Sequence, residues 1–139
     1  MTRDAICCCG KLTVRCTGTP ELVSLCHCFD CQRRTGAPYG IAAFFLRENV
    51  RIDGRSRVFR RPSDSGFEVA FHFCETCGST LFWEPARKPG VVGVAVGAFG
   101  DPGFPAPDQE VYTECRHGWV APLAPEPGPL GPRRQEFMS

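Results

Sequence analysis

The sequence predicts a mainly β protein with little helix. Fifteen glycines and thirteen prolines in 139 residues interrupt the chain too often for long helices. Apolar residues instead alternate with polar ones in several segments, as on a strand with one buried face, and helical periodicity is hard to find. With 42% apolar residues the chain can build a modest core, so we expect one domain over residues 1–139.

Alternation locates the strands. Leu12, Val14 and Cys16 lie between polar residues and predict a half-buried strand, and the apolar run Gly40–Leu46 predicts a buried one. Further strands are expected at residues 50–54, 67–73, 80–83, 91–96 and, more weakly, 112–120. The apolar face of the 67–73 strand is expected to carry Phe67, Val69, Phe71 and Phe73.

The other segments are predicted to be a short helix and loops. One or two helical turns are expected after Cys31, through Gln32, Arg33 and Arg34, ending at Gly36. Residues 101–108 form a proline-rich loop. The tail from about residue 121 has five prolines before residue 133 and should run extended over the surface.

Charge and hydropathy exclude several classes of partner. The net charge is +1, so there is no electrostatic case for nucleic acid. The arginine-rich segment 55–61 is interpreted as a solvated strand or hairpin, with a nucleic-acid surface as the less favoured alternative. No run reaches the roughly 18–20 apolar residues of a membrane span, and the N-terminus lacks the apolar region of a secretory signal. We therefore expect a cytoplasmic location, where thiols stay reduced and clustered cysteines indicate metal binding.

Seven of the ten cysteines fall into three groups with metal-ligand spacing. The groups are Cys7 with Cys9, then Cys26, Cys28 and Cys31, then Cys74 with Cys77. Zinc takes four ligands in a tetrahedron, so one CxC and one CxxC complete a closed site, while CxCxxC offers three thiolates and leaves a position open. Closed sites are structural, and three protein ligands with an open position are typical of reactive sites.

Counting ligands therefore predicts two zinc ions per chain. The distant pairs Cys7/Cys9 and Cys74/Cys77 would share one, since loop-closure entropy grows only logarithmically with loop length. The second would be held by the local group that begins at Cys26. Gly10 and Gly78 support the first site, because each follows a second cysteine where a tight turn favours glycine. A redox role for the Cys74–Cys77 pair is the alternative, but this CxxC does not open a helix after a βαβ strand.

The remaining cysteines and histidines are not assigned as ligands. On an extended chain Cys8 points away from its two neighbours and is treated as a spare thiol. Cys16 and Cys115 are interpreted as small core residues. His27 is expected to face away from the metal, and His72 to lie on the polar face of its strand.

These motifs resemble those of a known family. The segments ICCCGKLTVRCTG, CHCFDCQRRTGAPYG and FHFCETCGSTLFWE are similar to the glutathione-dependent formaldehyde-activating enzymes, a family that also includes centromere-protein-V-like proteins. The resemblance is specific from about residue 6 to residue 83 and continues weakly to the proline-rich tail. It implies a β-tent fold of several antiparallel strands stapled by two zinc sites.

The resemblance also implies ligands and an activity. By residue-level likeness, Cys7, Cys9, Cys74 and Cys77 form the structural site, and Cys26, Cys28 and Cys31 form the catalytic one. The implied reaction joins glutathione to formaldehyde to give S-hydroxymethylglutathione, as a carbon–sulfur lyase does in reverse. Arg33 and Arg34 are candidates to receive a glutathione carboxylate, or are solvated helix residues. A non-catalytic zinc module that binds a protein partner is the alternative function.

Overall fold

The computed structural model describes residues 1–62 and 66–125, and within them the chain is mainly β, as predicted. The strands are β1 (Thr2–Ile6), β2 (Thr13–Thr17), β3 (Leu22–Cys26), β4 (Gly40–Leu46), β5 (Val50–Asp53), β6 (Ser56–Pro62), β7 (Glu68–Cys74), β8 (Thr80–Pro85), β9 (Val91–Ala95) and β10 (Gln109–Val111). Helix α1 spans Phe29–Thr35, and short 3-10 helices span Arg47–Asn49, Val96–Phe99 and Thr113–Cys115. No helix of the described segments is long and apolar enough to span a membrane.

The strands form two sheets. The smaller is antiparallel with the order β1-β2-β5, and the larger has the order β10-β3-β4-β9-β8-β7-β6. Neighbours in the large sheet are antiparallel except β10, which runs parallel to β3. The arginine-rich strand β6 therefore lies at one edge, and its largely exposed residues agree with the solvated strand that was predicted.

The large sheet has a core on each face, which explains the continuous apolar run of β4. Ala43 and Phe45 belong to a buried cluster that includes Val14 of the small sheet. Ala42 and Phe44 belong to a second cluster. The other buried members of this second cluster are Cys26, Cys31, Val69, Phe71, Trp83 and Val111. Burial of a large apolar side chain stabilises the folded state by about 2 kcal/mol. Cys26 and Cys31 therefore lie in a stable part of the core.

Helix α1 is short because both of its ends are fixed by side-chain and backbone geometry. The Cys28 sulfur caps the N-terminus by accepting the Cys31 N–H, and Gly36 ends the helix with a positive φ of 66°. The Gly36 N–H donates to the Gln32 carbonyl at 2.8 Å. The predicted helix is thus confirmed, but it begins at Phe29, before Cys31.

Some expectations about individual segments are wrong. The weak strand at 112–120 is absent, because Tyr112 has a φ of 54° that breaks extension directly after β10. Phe67 lies before β7 and is 48% exposed, so it does not share the buried face of Val69 and Phe71. Cys16 is fully buried as expected, whereas Cys115 is only half-buried, in the 3-10 helix after β10.

The proline-rich tail was predicted to run extended from residue 121. Residues 121–125 form no helix or strand, and the rest of the tail lies outside the described residues. Strands β1, β3 and β10 were not predicted. Polar residues dominate β1, which is held by its pairing with β2, while β3 is nearly all buried and so shows no alternation.

A buried carboxylate joins three parts of the chain. Glu110 of β10 is 6% exposed, and its Oε1 lies 2.7 Å from His27 Nε2 in the loop before α1. Its Oε2 accepts the backbone N–H groups of Leu123 and Ala124, and Arg116 donates to Oε1 at 3.3 Å. Burial alone would raise the pKa of Glu110, but these donors together lower it. Glu110 thus fixes the loop before α1 and the start of the tail to the large sheet.

We expect Glu110→Gln to lower the free energy of unfolding by about 3 kcal/mol, because it removes a buried charge to which Arg116 and two backbone amides donate hydrogen bonds. Glu114→Gln is the matched control, since Glu114 is an exposed glutamate on the following 3-10 helix. Urea unfolding of the metal-loaded proteins measures the difference. Equal losses in the two variants would contradict the structural role of Glu110.

The Glu110 carboxylate also gives the stability of the fold a pH dependence with a defined sign. The pKa of Glu110 is lowered in the folded chain, so its stabilisation is present above the ordinary glutamate pKa of about 4.3. It is lost as pH falls through the lowered value. The stability difference between the wild type and Glu110→Gln should therefore shrink in acid.

Candidate metal centres

Four cysteines from distant parts of the chain converge at one point. Cys7 and Cys9 lie in the turn after β1, Cys74 ends β7, and Cys77 lies in the turn before β8. Their four sulfurs all lie within 4.8 Å of one another, and Cys9 Sγ is 3.6 Å from both Cys7 Sγ and Cys74 Sγ. Bonds of about 2.3 Å in a tetrahedral zinc site put sulfurs about 3.8 Å apart. The group therefore has the spacing of a four-thiolate metal site.

Both turns present backbone amides to the sulfurs. The Leu12 N–H donates to Cys7 Sγ at 3.2 Å, and the Thr76 N–H donates to Cys74 Sγ at 3.4 Å. Gly10 and Gly78 close the turns with φ values of 82° and 79°, a backbone region that favours glycine, as their positions predicted. Amide donors stabilise sulfur as the thiolate, which is the form that ligates a metal.

The pKa values of the four cysteines are also compatible with a bound metal cation. The Ser79 hydroxyl and N–H lower the pKa of Cys77 to about 5, so this sulfur is a thiolate at neutral pH. The Lys11 N–H lowers the pKa of Cys9, but burial and hydrogen bonds with the other three sulfurs outweigh it and raise the value to about 11. A metal ion bound here would replace such protons and balance the charge of the thiolates.

The second group is built into one short stretch. Cys26 ends β3, Cys28 is the N-cap of α1 and Cys31 lies in its first turn. The three sulfurs lie within 4.8 Å of one another. Cys28 N–H donates to Cys26 Sγ at 3.4 Å, and Cys31 N–H donates to Cys28 Sγ at 3.3 Å. Cys26 and Cys31 are buried and Cys28 is half-buried, so solvent reaches the group on the Cys28 side.

The three thiols do not ionise equally. Hydrogen bonds from Cys26 and Cys31 lower the pKa of Cys28 to about 2, with further lowering from the Cys31 N–H and the charge of Arg61. The same hydrogen bonds, together with burial, raise the pKa of Cys26. One thiolate is thus stable beside two thiols that a metal ion would deprotonate. Both groups, with four and three cysteines, could hold a metal ion.

Residues that were not assigned as ligands lie outside both groups. His27 is fully buried and contacts Glu110, and His72 lies between Ser56 and Glu84 at 3.0 and 2.7 Å. The sulfur of Cys8 is exposed, while its N–H donates to Ser79 Oγ.

Two arginines lie beside the three-cysteine group: Arg34, which the sequence named together with Arg33 without distinguishing them, and Arg61, which it missed. Arg34 turns from α1 over the rings of Trp83 and Phe71, with its Cζ 4.5 and 5.1 Å from their centroids. Arg61 of the edge strand β6 lies 5.3 Å from the Phe71 centroid on the same side of the sheet. Arg33, by contrast, is exposed. A run of arginines carries no signal of which one turns inward, so only the tertiary packing distinguishes them.

Arg34, Arg61 and Phe71 line a cavity of about 350 Å³, which we call the arginine cavity. Its charged residues are Asp30, Arg33, Arg34 and Arg61, and aromatic residues including Phe59 and Phe71 form its apolar wall. Phe71 also belongs to the core that buries Cys26 and Cys31. Phe71 therefore belongs both to the cavity lining and to the apolar cluster that contains two of the three cysteines.

Comparisons with known proteins support the fold and show the family of the chain. A crystal structure of a Rhodobacter sphaeroides protein matches with a TM-score of 0.51 and 23% identity, over 70% of this chain and 86% of that one, which supports the fold alone. No curated protein matches the sequence with statistical significance. The family model described as glutathione-dependent formaldehyde-activating enzyme matches residues 2–115, a span that contains both cysteine groups. The chain therefore belongs to the glutathione-dependent formaldehyde-activating enzyme family.

Proposed function

We propose that this protein is a zinc-dependent carbon–sulfur lyase-type enzyme that joins glutathione and formaldehyde to form S-hydroxymethylglutathione. The observation that carries the proposal is the three-cysteine group, which is open on the Cys28 side in a chain of this family. Three protein ligands and an accessible side are what a reactive thiolate–metal site requires.

The donor atoms favour zinc at both sites. All seven ligands are cysteine sulfurs, and soft thiolates in a tetrahedron favour zinc among common divalent ions. Cys7, Cys9, Cys74 and Cys77 would complete a closed structural site. Cys26, Cys28 and Cys31 would hold the second ion, at which the reaction takes place.

When bound by the three cysteines, zinc would lower the pKa of a substrate thiol and keep it as a nucleophilic thiolate. The chain's own groups hold the site in place. The core on this face of the sheet fixes Cys26 and Cys31, and the N-cap hydrogen bond from the Cys31 N–H holds the half-buried Cys28 sulfur beside them. Formaldehyde is too small to need a specific pocket, so recognition falls on the thiol.

The overall reaction balances without a redox partner. A bond forms between the thiol sulfur and the carbonyl carbon as the carbonyl π bond breaks. The thiol proton ends on the new hydroxyl group. The protein therefore has to orient the thiol and allow a proton to reach oxygen, both of which are feasible at a site open to water.

The first prediction of the proposed function concerns metal content. Zinc-reconstituted protein should contain close to two zinc ions per chain, measured by elemental analysis. A chelator should remove one ion first, from the Cys26/Cys28/Cys31 site, since three ligands hold less firmly than four. One bound ion that never rises to two on reconstitution would contradict the division into four and three.

The second prediction concerns stability. Cys77→Ser should unfold or aggregate the protein, because structural zinc contributes about 10 kcal/mol or more, comparable to the whole stability of a domain. Cys28→Ser should cost far less, since its group lies within one short stretch. Thermal unfolding followed by circular dichroism compares the two. Equal damage from both variants would show that the assigned roles are wrong.

The third prediction concerns activity. NMR exchange spectroscopy should show faster exchange between glutathione and its formaldehyde adduct with zinc-loaded protein than in buffer at the same pH. Cys28→Ser should return the rate to that background. Cys8→Ser is the matched control, because Cys8 is an exposed cysteine outside both groups, and it should keep the wild-type rate.

No acceleration by the wild type with glutathione or other thiols would favour the alternative function, a non-catalytic zinc module. The metal content measured above would be unaffected by that result.

A further inference from the structure

We propose that the arginine cavity binds a carboxylate-bearing end of the thiol substrate, and that Arg34 and Arg61 select such thiols over neutral ones. This inference rests on the proposed function and adds the specificity of the same site. It begins from the position of the cavity, which shares Phe71 with the core around Cys26 and Cys31.

Arg34 has hydrogen-bonding capacity that the described chain does not use. Its Nε is buried, and no described residue accepts a hydrogen bond from it. The guanidinium is held by packing, above Trp83 and Phe71 and against the backbone of Gly40, where an added Cβ would lie 2.9 Å from Nη2. A buried guanidinium donor without an acceptor is costly, and a carboxylate supplies the best-matched acceptor.

Arg61 is held inward at the edge of the sheet. Its side chain is only 17% exposed, although β6 is an edge strand with mostly exposed residues. Its Nη1 donates to Asp30 Oδ2 at 2.6 Å, which ties β6 to α1 across the mouth of the cavity. This pairing leaves the remaining N–H groups of the guanidinium for a ligand.

The net charge of the cavity defines the class of ligand. Three guanidinium groups face one carboxylate, that of Asp30, so two positive charges are in excess. Glutathione has a carboxylate at each end, and the end with the amino group could also meet Asp30. A volume of about 350 Å³ is near the lower limit of roughly 300 Å³ for small-molecule sites, so it suits one end of a tripeptide.

The experiment measures binding with a probe that cannot react. S-methylglutathione has both carboxylates but no thiol, so its affinity does not depend on thiolate formation or turnover. Calorimetric titration of the zinc-loaded protein should show at least tenfold tighter binding of S-methylglutathione than of its diethyl ester. Equal affinity for acid and ester in the wild type overturns the proposal, and this comparison needs no variant.

Arginine variants then test which residues produce the preference for the acid over the ester. Arg34→Gln and Arg61→Gln should each reduce the ratio of acid to ester affinity several-fold. Arg60→Gln should leave the ratio unchanged, because Arg60 directly precedes Arg61 in β6, points to the other face and pairs with Glu68 at 3.8 Å. If Arg34→Gln does not fold, Arg34→Lys replaces it. A reduced ratio with this variant supports a bidentate contact, and an unchanged ratio overturns the role of the Arg34 guanidinium.

The proposed reaction and the proposed carboxylate site can be contradicted independently of each other. A preference for the acid without any acceleration of formaldehyde exchange would overturn the reaction and leave the arginine cavity as a carboxylate site. Acceleration with no preference for the acid would overturn the cavity alone.

Discussion

The convergence of two cysteine turns, at residues 7–9 and 74–77, is the contact on which the rest of the structure depends. It joins the end of β1 to the end of β7, and so ties the small sheet to the large one near the cluster that both bury. Four sulfurs this close would repel one another as thiolates, so the contact is favourable only with protons or a cation among them.

The three-cysteine group depends on a different kind of support. Two of its sulfurs lie in the core on the opposite face of the large sheet, and the third caps a helix of only seven residues. Its connecting residue, His27, is held from the side by the Glu110 carboxylate. Cys26 is thus fixed by β3, and Cys28 and Cys31 are fixed by α1, while the half-buried side of Cys28 stays accessible.

Local patterns were enough to predict much of this. Cysteine spacing grouped the seven cysteines as the structure does, because CxC and CxxC turns are local in geometry and the four ligands that zinc takes constrain how groups combine. A continuous apolar run located β4, since its burial on both faces follows from its own residues. The features that the sequence did not predict depend on contacts between distant segments. The parallel pairing of β10 with β3, the inward turn of Arg34 and the burial of Glu110 are each decided by residues far away in sequence.

The Glu110 carboxylate has a consequence for where this protein can be divided. The family match ends at residue 115, yet the amides that cap Oε2 belong to Leu123 and Ala124. A truncation placed at the end of the match would remove both amides and open a buried anion to water. The loop before α1 would then lose part of its anchor, although every cysteine remained. The practical boundary of the folding unit therefore extends at least to residue 124, beyond the limit that motif similarity defines.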